Sequence, residues 1–193
     1  TDDYCEVDPD TEKPCNIKTR YENKLVTFFT KGDARRKYAY NYLKTSDREL
    51  TNVMNVLRSH MTADQKIKKG MKSICIHSGP FIKSEATSSM IVDYIGDKFI
   101  AWFTGSPHPC VSLFKPIVFS DGKTVQGFDN VDYSVDYGND ATALARTLVK
   151  NYSLFVSDIK TIRDKYESDF RKLLYSDLDT KDPEQLISEC EKC

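Results

Sequence analysis

The sequence predicts an α+β protein. β-branched and aromatic residues concentrate in one stretch, 73–119, and helical three- and four-residue spacing dominates on either side of it. The segments 23–72 and 139–193 read as helical, 73–137 as the sheet segment, and 1–22 as an irregular arm carrying Pro9 and Pro14. With 193 residues and 39% hydrophobic content, 1–193 makes one domain or the carboxy-terminal part of a larger one. Thr1 stands where an initiator Met would, so the chain is expected to be processed, trimmed or a piece of a longer precursor.

Leu25 to Phe29 is a short apolar run suited to packing on a sheet. Asp33 is an N-cap candidate for ARRKYAYNYLK, in which Tyr38 and Tyr42 share a face. Ser46 and Glu49 have capping-box spacing, and Leu50, Val53, Met54 and Leu57 then repeat at helical intervals. Thr62 to Gly70 is a Lys-rich connection.

In the central stretch, Ser73 to His77 is an apolar run stopped by Gly79-Pro80. Thr87–Tyr94 and Phe99–Thr104 flank Gly96-Asp97 and read as a β-hairpin. A kinked connection at Gly105, Pro107 and Pro109 leads to a further strand, Val111–Phe119, closed by Asp121-Gly122, which makes a four-strand segment. Gly122–Gly138 is loop-like, with an alternation at Val131, Tyr133 and Val135 that fits a short edge strand. Asn139-Asp140 then caps a long helix striped by Leu144, Leu148, Phe155, Ile159, Ile162, Tyr166, Phe170 and Leu173, and Asp182-Pro183 starts a last one.

A net charge of −1 argues against a nucleic-acid footprint, and no apolar run reaches membrane-spanning length. There is no Gly-rich phosphate loop, no HExxH and no G-x-S-x-G. The three histidines, His60, His77 and His108, are far apart in the chain with different predicted contexts, so neither a metal site nor a cofactor is expected. Of the six cysteines, Cys5 and Cys15 flank EVDPDTEKP, a turn-rich loop that a disulfide would close. Cys75 and Cys110 read as free thiols, and Cys190 with Cys193 forms a terminal C-x-x-C without a second pair. Asn151-Tyr152-Ser153 is an N-glycosylation sequon. Together these favour the secretory route, lysosomal or secreted, with the cytoplasm as the alternative.

Ile76-His77-Ser78-Gly79, then Ser84 to Val92 (SEATSSMIV), then Trp102 to Pro107 (WFTGSP), then Ser112 to Pro116 (SLFKP) resemble, in order and spacing, the carboxy-terminal half of secernins. Those proteins belong with the cysteine-dependent dipeptidases of the N-terminal-nucleophile hydrolase superfamily. The resemblance is densest over 50–119 and fades before Asn23. It implies an αββα sandwich, of which this chain supplies one sheet and an outer helix layer. It also implies an amino-terminal cysteine nucleophile whose own α-amine acts as base. Thr1 and Cys5 are poor candidates, because Asp2, Asp3 and the prolines that follow do not start a core strand. No catalytic residue is therefore assigned to this chain, and the nucleophile is expected on an upstream segment or partner chain.

By the same resemblance His77, Thr87, Ser88, Trp102 and Thr104 are candidates for lining a peptide or amide substrate cleft. The alternatives are a strand-end histidine satisfied by backbone for His77, core packing for Trp102, and plain strand formers for Thr87 and Ser88. Lys83 stands where many relatives carry an arginine, and its ammonium cannot make a guanidinium's bidentate contact with a carboxylate. The expected function is that of a fragment or subunit of a dipeptidase-like hydrolase. The alternative is a non-catalytic secernin-like binding or structural protein.

Overall fold

The computed structural model describes residues 5–7, 11, 14–16, 20–47, 49–81, 83–95, 98–117, 119–120, 123–124 and 130–177. Thr1, the turn residues Gly96-Asp97 and Asp121-Gly122, the helix expected from Asp182 and the Cys190/Cys193 pair lie outside these residues. Within them the fold mixes helices with antiparallel sheet.

Strands β1 (Cys5–Val7) and β2 (Pro14–Asn16) pair antiparallel, so part of the expected irregular arm is a ribbon. Helices α1 (Lys24–Thr30), α2 (Gly32–Thr45) and α3 (Leu50–Leu57) follow. Strands β3 (Met90–Ile95), β4 (Lys98–Phe103) and β5 (Lys115–Ile117) form an antiparallel sheet in the order β3-β4-β5. A small ribbon, β6 (Phe119–Ser120) with β7 (Lys123–Thr124), precedes α4 (Val131–Lys150) and α5 (Tyr152–Asp177).

The strand register sorts the sheet into two faces. Ile91 lies opposite Trp102 and Asp93 opposite Ile100, and this face turns inward. Trp102 and Ile100 pack with Met54 of α3, Phe114, and Phe170 and Leu174 of α5 as the main core. The other face pairs Met90 with Phe103, Val92 with Ala101 and Tyr94 with Phe99. Its rows are apolar, yet Met90, Val92, Tyr94 and Phe99 are 62%, 39%, 75% and 51% exposed.

One buried ion pair ties the layers together. Arg58, at the C-cap of α3, reaches Glu167 of α5 with both terminal guanidinium nitrogens, Nη1 donating to Oε2 at 3.0 Å and Nη2 to Oε1. Its Nε and Nη2 also donate to the carbonyls of Pro109 and Ser112, each at 3.1 Å, and Glu167 Oε1 accepts from the Phe114 N–H at 2.8 Å.

Several expected elements differ, each for a local reason. Ser73 to His77 is not a strand: Ser73, Cys75 and His77 are buried alternately, but the backbone finds no neighbouring strand. Instead Cys75 N–H donates to Ser59 C=O at 3.1 Å and Gly70 N–H to His77 C=O at 2.7 Å. The hairpin is present but begins at Met90, where the Thr104 hydroxyl accepts the Ser89 N–H at 2.9 Å. In the expected Val111–Phe119 strand, a 3-10 turn over Pro109–Val111 delays the strand to Lys115–Ile117, and with Ser73–His77 outside it the main sheet has, among the described residues, three strands rather than four. Val131 begins a helix instead of an edge strand, because the Asn130 side chain caps the Tyr133 N–H at 3.2 Å. The long helix is two helices, parted at Asn151. Leu25, Val26, Phe28 and Phe29 sit on α1 and are exposed rather than packed on the sheet. Ser46 caps the end of α2, and Glu49 is the residue at the N-cap of α3.

Candidate functional site

Four side chains that the chain keeps apart meet in one buried place. His77 Nε2 lies 3.1 Å from His60 Nε2, 3.6 Å from Cys75 Sγ and 3.5 Å from Cys110 Sγ. The four ligand-type atoms all fall within 4.8 Å of one another. None of the four residues is more than 4% exposed.

They arrive on three separate stretches of backbone. His60 follows the end of α3, and its N–H donates to Gln65 Oε1 at 3.1 Å. Its Nδ1 is hydrogen-bonded to the Gln65 carbonyl, which can only accept, so Nδ1 carries the proton and Nε2 presents a lone pair to the cluster. Ser73 Oγ donates to the His60 carbonyl at 3.0 Å, and the Tyr152 ring packs edge-on against the imidazole with centroids 5.4 Å apart. Cys75 and His77 share the inward side of the extended segment 73–77, and Cys110 sits in the 3-10 turn. Met61, Gln65 and His108, all beside the cluster, hold left-handed backbone at φ 56°, 50° and 61°. Such conformations cost about 1–3 kcal/mol each in non-glycine residues, and strain of this kind gathers at functional positions.

The electrostatics follow from the crowding. The hydrogen bond from Cys110 lowers the Cys75 thiol against the effect of burial, and Cys110 is raised by the same contact. Burial and the neighbouring Cys110 push the Tyr152 phenol up to about 12.

Behind His77 a second imidazole stacks, that of His108, with centroids 4.6 Å apart and planes 2° from parallel. His108 Nε2 faces Glu85 at 3.4 Å, and Glu85 also receives Arg146 at 3.1 Å. Burial and His77 lower the His108 pKa, while Glu85 opposes them. His77, Glu85, His108 and Arg146 border an open groove of about 860 Å³.

The residues expected to line a cleft have separate surroundings. His77 belongs to the buried cluster, Trp102 to the main core, and Thr104 is buried with its hydroxyl donating to the Ser106 carbonyl at 3.3 Å. Thr87 and Ser88 are exposed on the segment leading into β3. Asn151 is exposed at the junction of α4 and α5. Cys5 pairs with Asn16 and Cys15 with Glu6, so the two cysteines stand one residue out of step on the β1–β2 ribbon, at positions that alternate between its faces. The sequence reading missed the convergence of the histidines and assigned no role to Cys75 or Cys110. The available signal was Cys75-x-His77, which places two ligand-type side chains on one side of an extended segment. Set against family models, curated proteins and solved structures, the chain matches none.

Proposed function

We propose that the chain is the carboxy-terminal part of a peptide or amide hydrolase of the αββα type, whose cysteine nucleophile lies on an upstream segment. The observation that supports this reading is the outer face of the β3-β4-β5 sheet. Met90, Val92, Tyr94 and Phe99 form an apolar surface that a second sheet would cover, whereas a sheet meant to face water alternates apolar with polar side chains. Two of the secernin-like motifs, 84–92 and 102–107, run into or out of the paired strands β3 and β4, and the groove beside His77 and His108 falls within the size range of small-ligand sites.

The test combines intact-mass analysis and N-terminal sequencing of the native sample with hydrolysis of a dipeptide panel. The expected result is a second segment beginning with cysteine that co-purifies, hydrolysis that stops when that cysteine is alkylated, and loss of the partner from V92K and Y94K chains that still fold. A chain that stays monomeric with no partner, or a Thr1 or Cys5 substitution that eliminates hydrolysis while the fold is intact, overturns the proposal. The burial of His77, Trp102 and Thr104 favours a second reading, a non-catalytic binding or structural protein. A residue other than cysteine at the start of the upstream segment would select it.

A further inference from the structure

We propose that His60, Cys75, His77 and Cys110 bind one zinc ion in a closed tetrahedral site. The geometry carries the argument. Nitrogen and sulfur ligands at about 2.0–2.1 and 2.3 Å from a common zinc ion, at tetrahedral angles, lie about 3.3–3.8 Å from one another. The contacts to His77 Nε2 are 3.1, 3.6 and 3.5 Å, close to those edges, and the remaining pairs stay within 4.8 Å.

The chemistry of the donors points the same way. His60 Nε2 is a bare lone pair because Nδ1 is committed to Gln65, the second-shell arrangement that orients a metal-binding histidine. Cys75 Sγ and Cys110 Sγ, at 3.6 and 3.5 Å from His77 Nε2, add two soft donors, so that four ligand atoms converge on one buried point. Two thiolates with two imidazoles in tetrahedral array select zinc over calcium or magnesium, which require oxygen. Four protein ligands complete the tetrahedron and leave no open coordination position, so the ion holds loops together and does not activate water. On binding, both sulfurs ligate as thiolates and the protons they carry are released. This inference stands apart from the hydrolase reading, since a binding protein would use the same clasp.

The experiment measures metal in the full chain purified without chelator, followed by removal and titration with Co²⁺. The expected result is one zinc per chain. Cobalt should then give the visible bands of a tetrahedral ion together with a near-ultraviolet thiolate-to-cobalt band. C110S and H60A should lose the stoichiometric metal, and H108A, which stacks on the site without ligating, should retain it. If the ligand variants fail to fold, the unmodified chain still decides: a mercurial that titrates Cys75 and Cys110 should release one equivalent of zinc to a colorimetric chelator. Absence of zinc and of a cobalt spectrum, a cobalt spectrum without the thiolate band, or a Cys75–Cys110 disulfide in the untreated protein would each overturn the proposal.

Discussion

Arg58 and Glu167, separated by 109 residues in the chain, form a buried two-point ion pair that joins the end of α3 to the middle of α5. The pair is fully engaged, since Arg58 also binds two carbonyls of the 3-10 region and Glu167 a backbone N–H. Glu167→Gln should therefore destabilise the fold by about 3–5 kcal/mol, because it leaves a buried guanidinium without its counter-charge. Arg58→Lys should cost a comparable amount, since an ammonium cannot reproduce the fork. Replacing both by apolar residues of similar volume should cost less than either single change. Urea unfolding read by tryptophan fluorescence measures all three.

Trp102 is the chain's single tryptophan and is fully buried against Met54, Phe114 and Leu174. Trp102→Ala should cost about 3–5 kcal/mol, and Trp102→Phe less. Emission of the native protein should be blue-shifted and resist acrylamide quenching. Native emission typical of water-exposed indole would contradict the core placement.

Thr104 closes the base of the hairpin with its hydroxyl, accepting from Ser89 N–H and donating to the Ser106 carbonyl. Thr104→Val keeps the volume but strands the half-buried Ser89 N–H, and should lower stability by about 1–3 kcal/mol. Thr104→Ser keeps the bonds and should stay close to the parent in chemical denaturation. A larger loss in Thr104→Ser than in Thr104→Val would show that the methyl group, not the hydroxyl, matters.

Burial brings the Lys115 ammonium down to about 8, with Glu167 pulling the other way. Lys115 Nζ donates to the Thr104 carbonyl at 2.9 Å and lies 5.2 Å from the centre of the Tyr137 ring. Because the folded value is below the unfolded one, the unfolded chain binds more protons between them. The contribution of Lys115 to stability therefore rises with pH from about 8 toward the unfolded value near 10.4. Above about pH 10 the raised phenols of Tyr137 and Tyr152 act in the opposite sense. Lys115→Met should flatten the stability profile between pH 8 and 10, which parallel denaturation series of the two proteins would register.

If the protein travels the secretory route, Asn151 should carry glycan and Cys5 and Cys15 should be oxidised to each other. Asn151 is exposed at the junction of α4 and α5, where its Nδ2 donates to the Thr147 carbonyl at 3.3 Å. Peptide mass mapping under non-reducing conditions checks both. Free thiols together with an unmodified Asn151 would place the protein in the cytoplasm.

The mixture of helix and antiparallel sheet was legible in the chain because local rules govern it. The β-branched run into Tyr94 and the return from Phe99 pair as a hairpin whatever surrounds them, and the spacing of Leu50, Met54 and Leu57 demands a helix. Where a side-chain cap competes with periodicity, the pattern misleads. Val131, Tyr133 and Val135 alternate like a strand, yet Asn130 caps a helix there, and Ser73 to His77 has strand alternation with no strand beside it.

By itself, then, the sequence determined the helix over Leu50–Leu57, the helical character after Asn139 and the β3–β4 hairpin, since these follow from spacing and backbone preference. Only the tertiary structure decided the meeting of His60, Cys75, His77 and Cys110, because they lie on irregular segments whose paths are set by long-range bonds such as Cys75 to Ser59 and Arg58 to Pro109 and Ser112. Side chains on loops carry no periodicity, and their convergence is a property of how helices α3 and α5 clamp the connections between them.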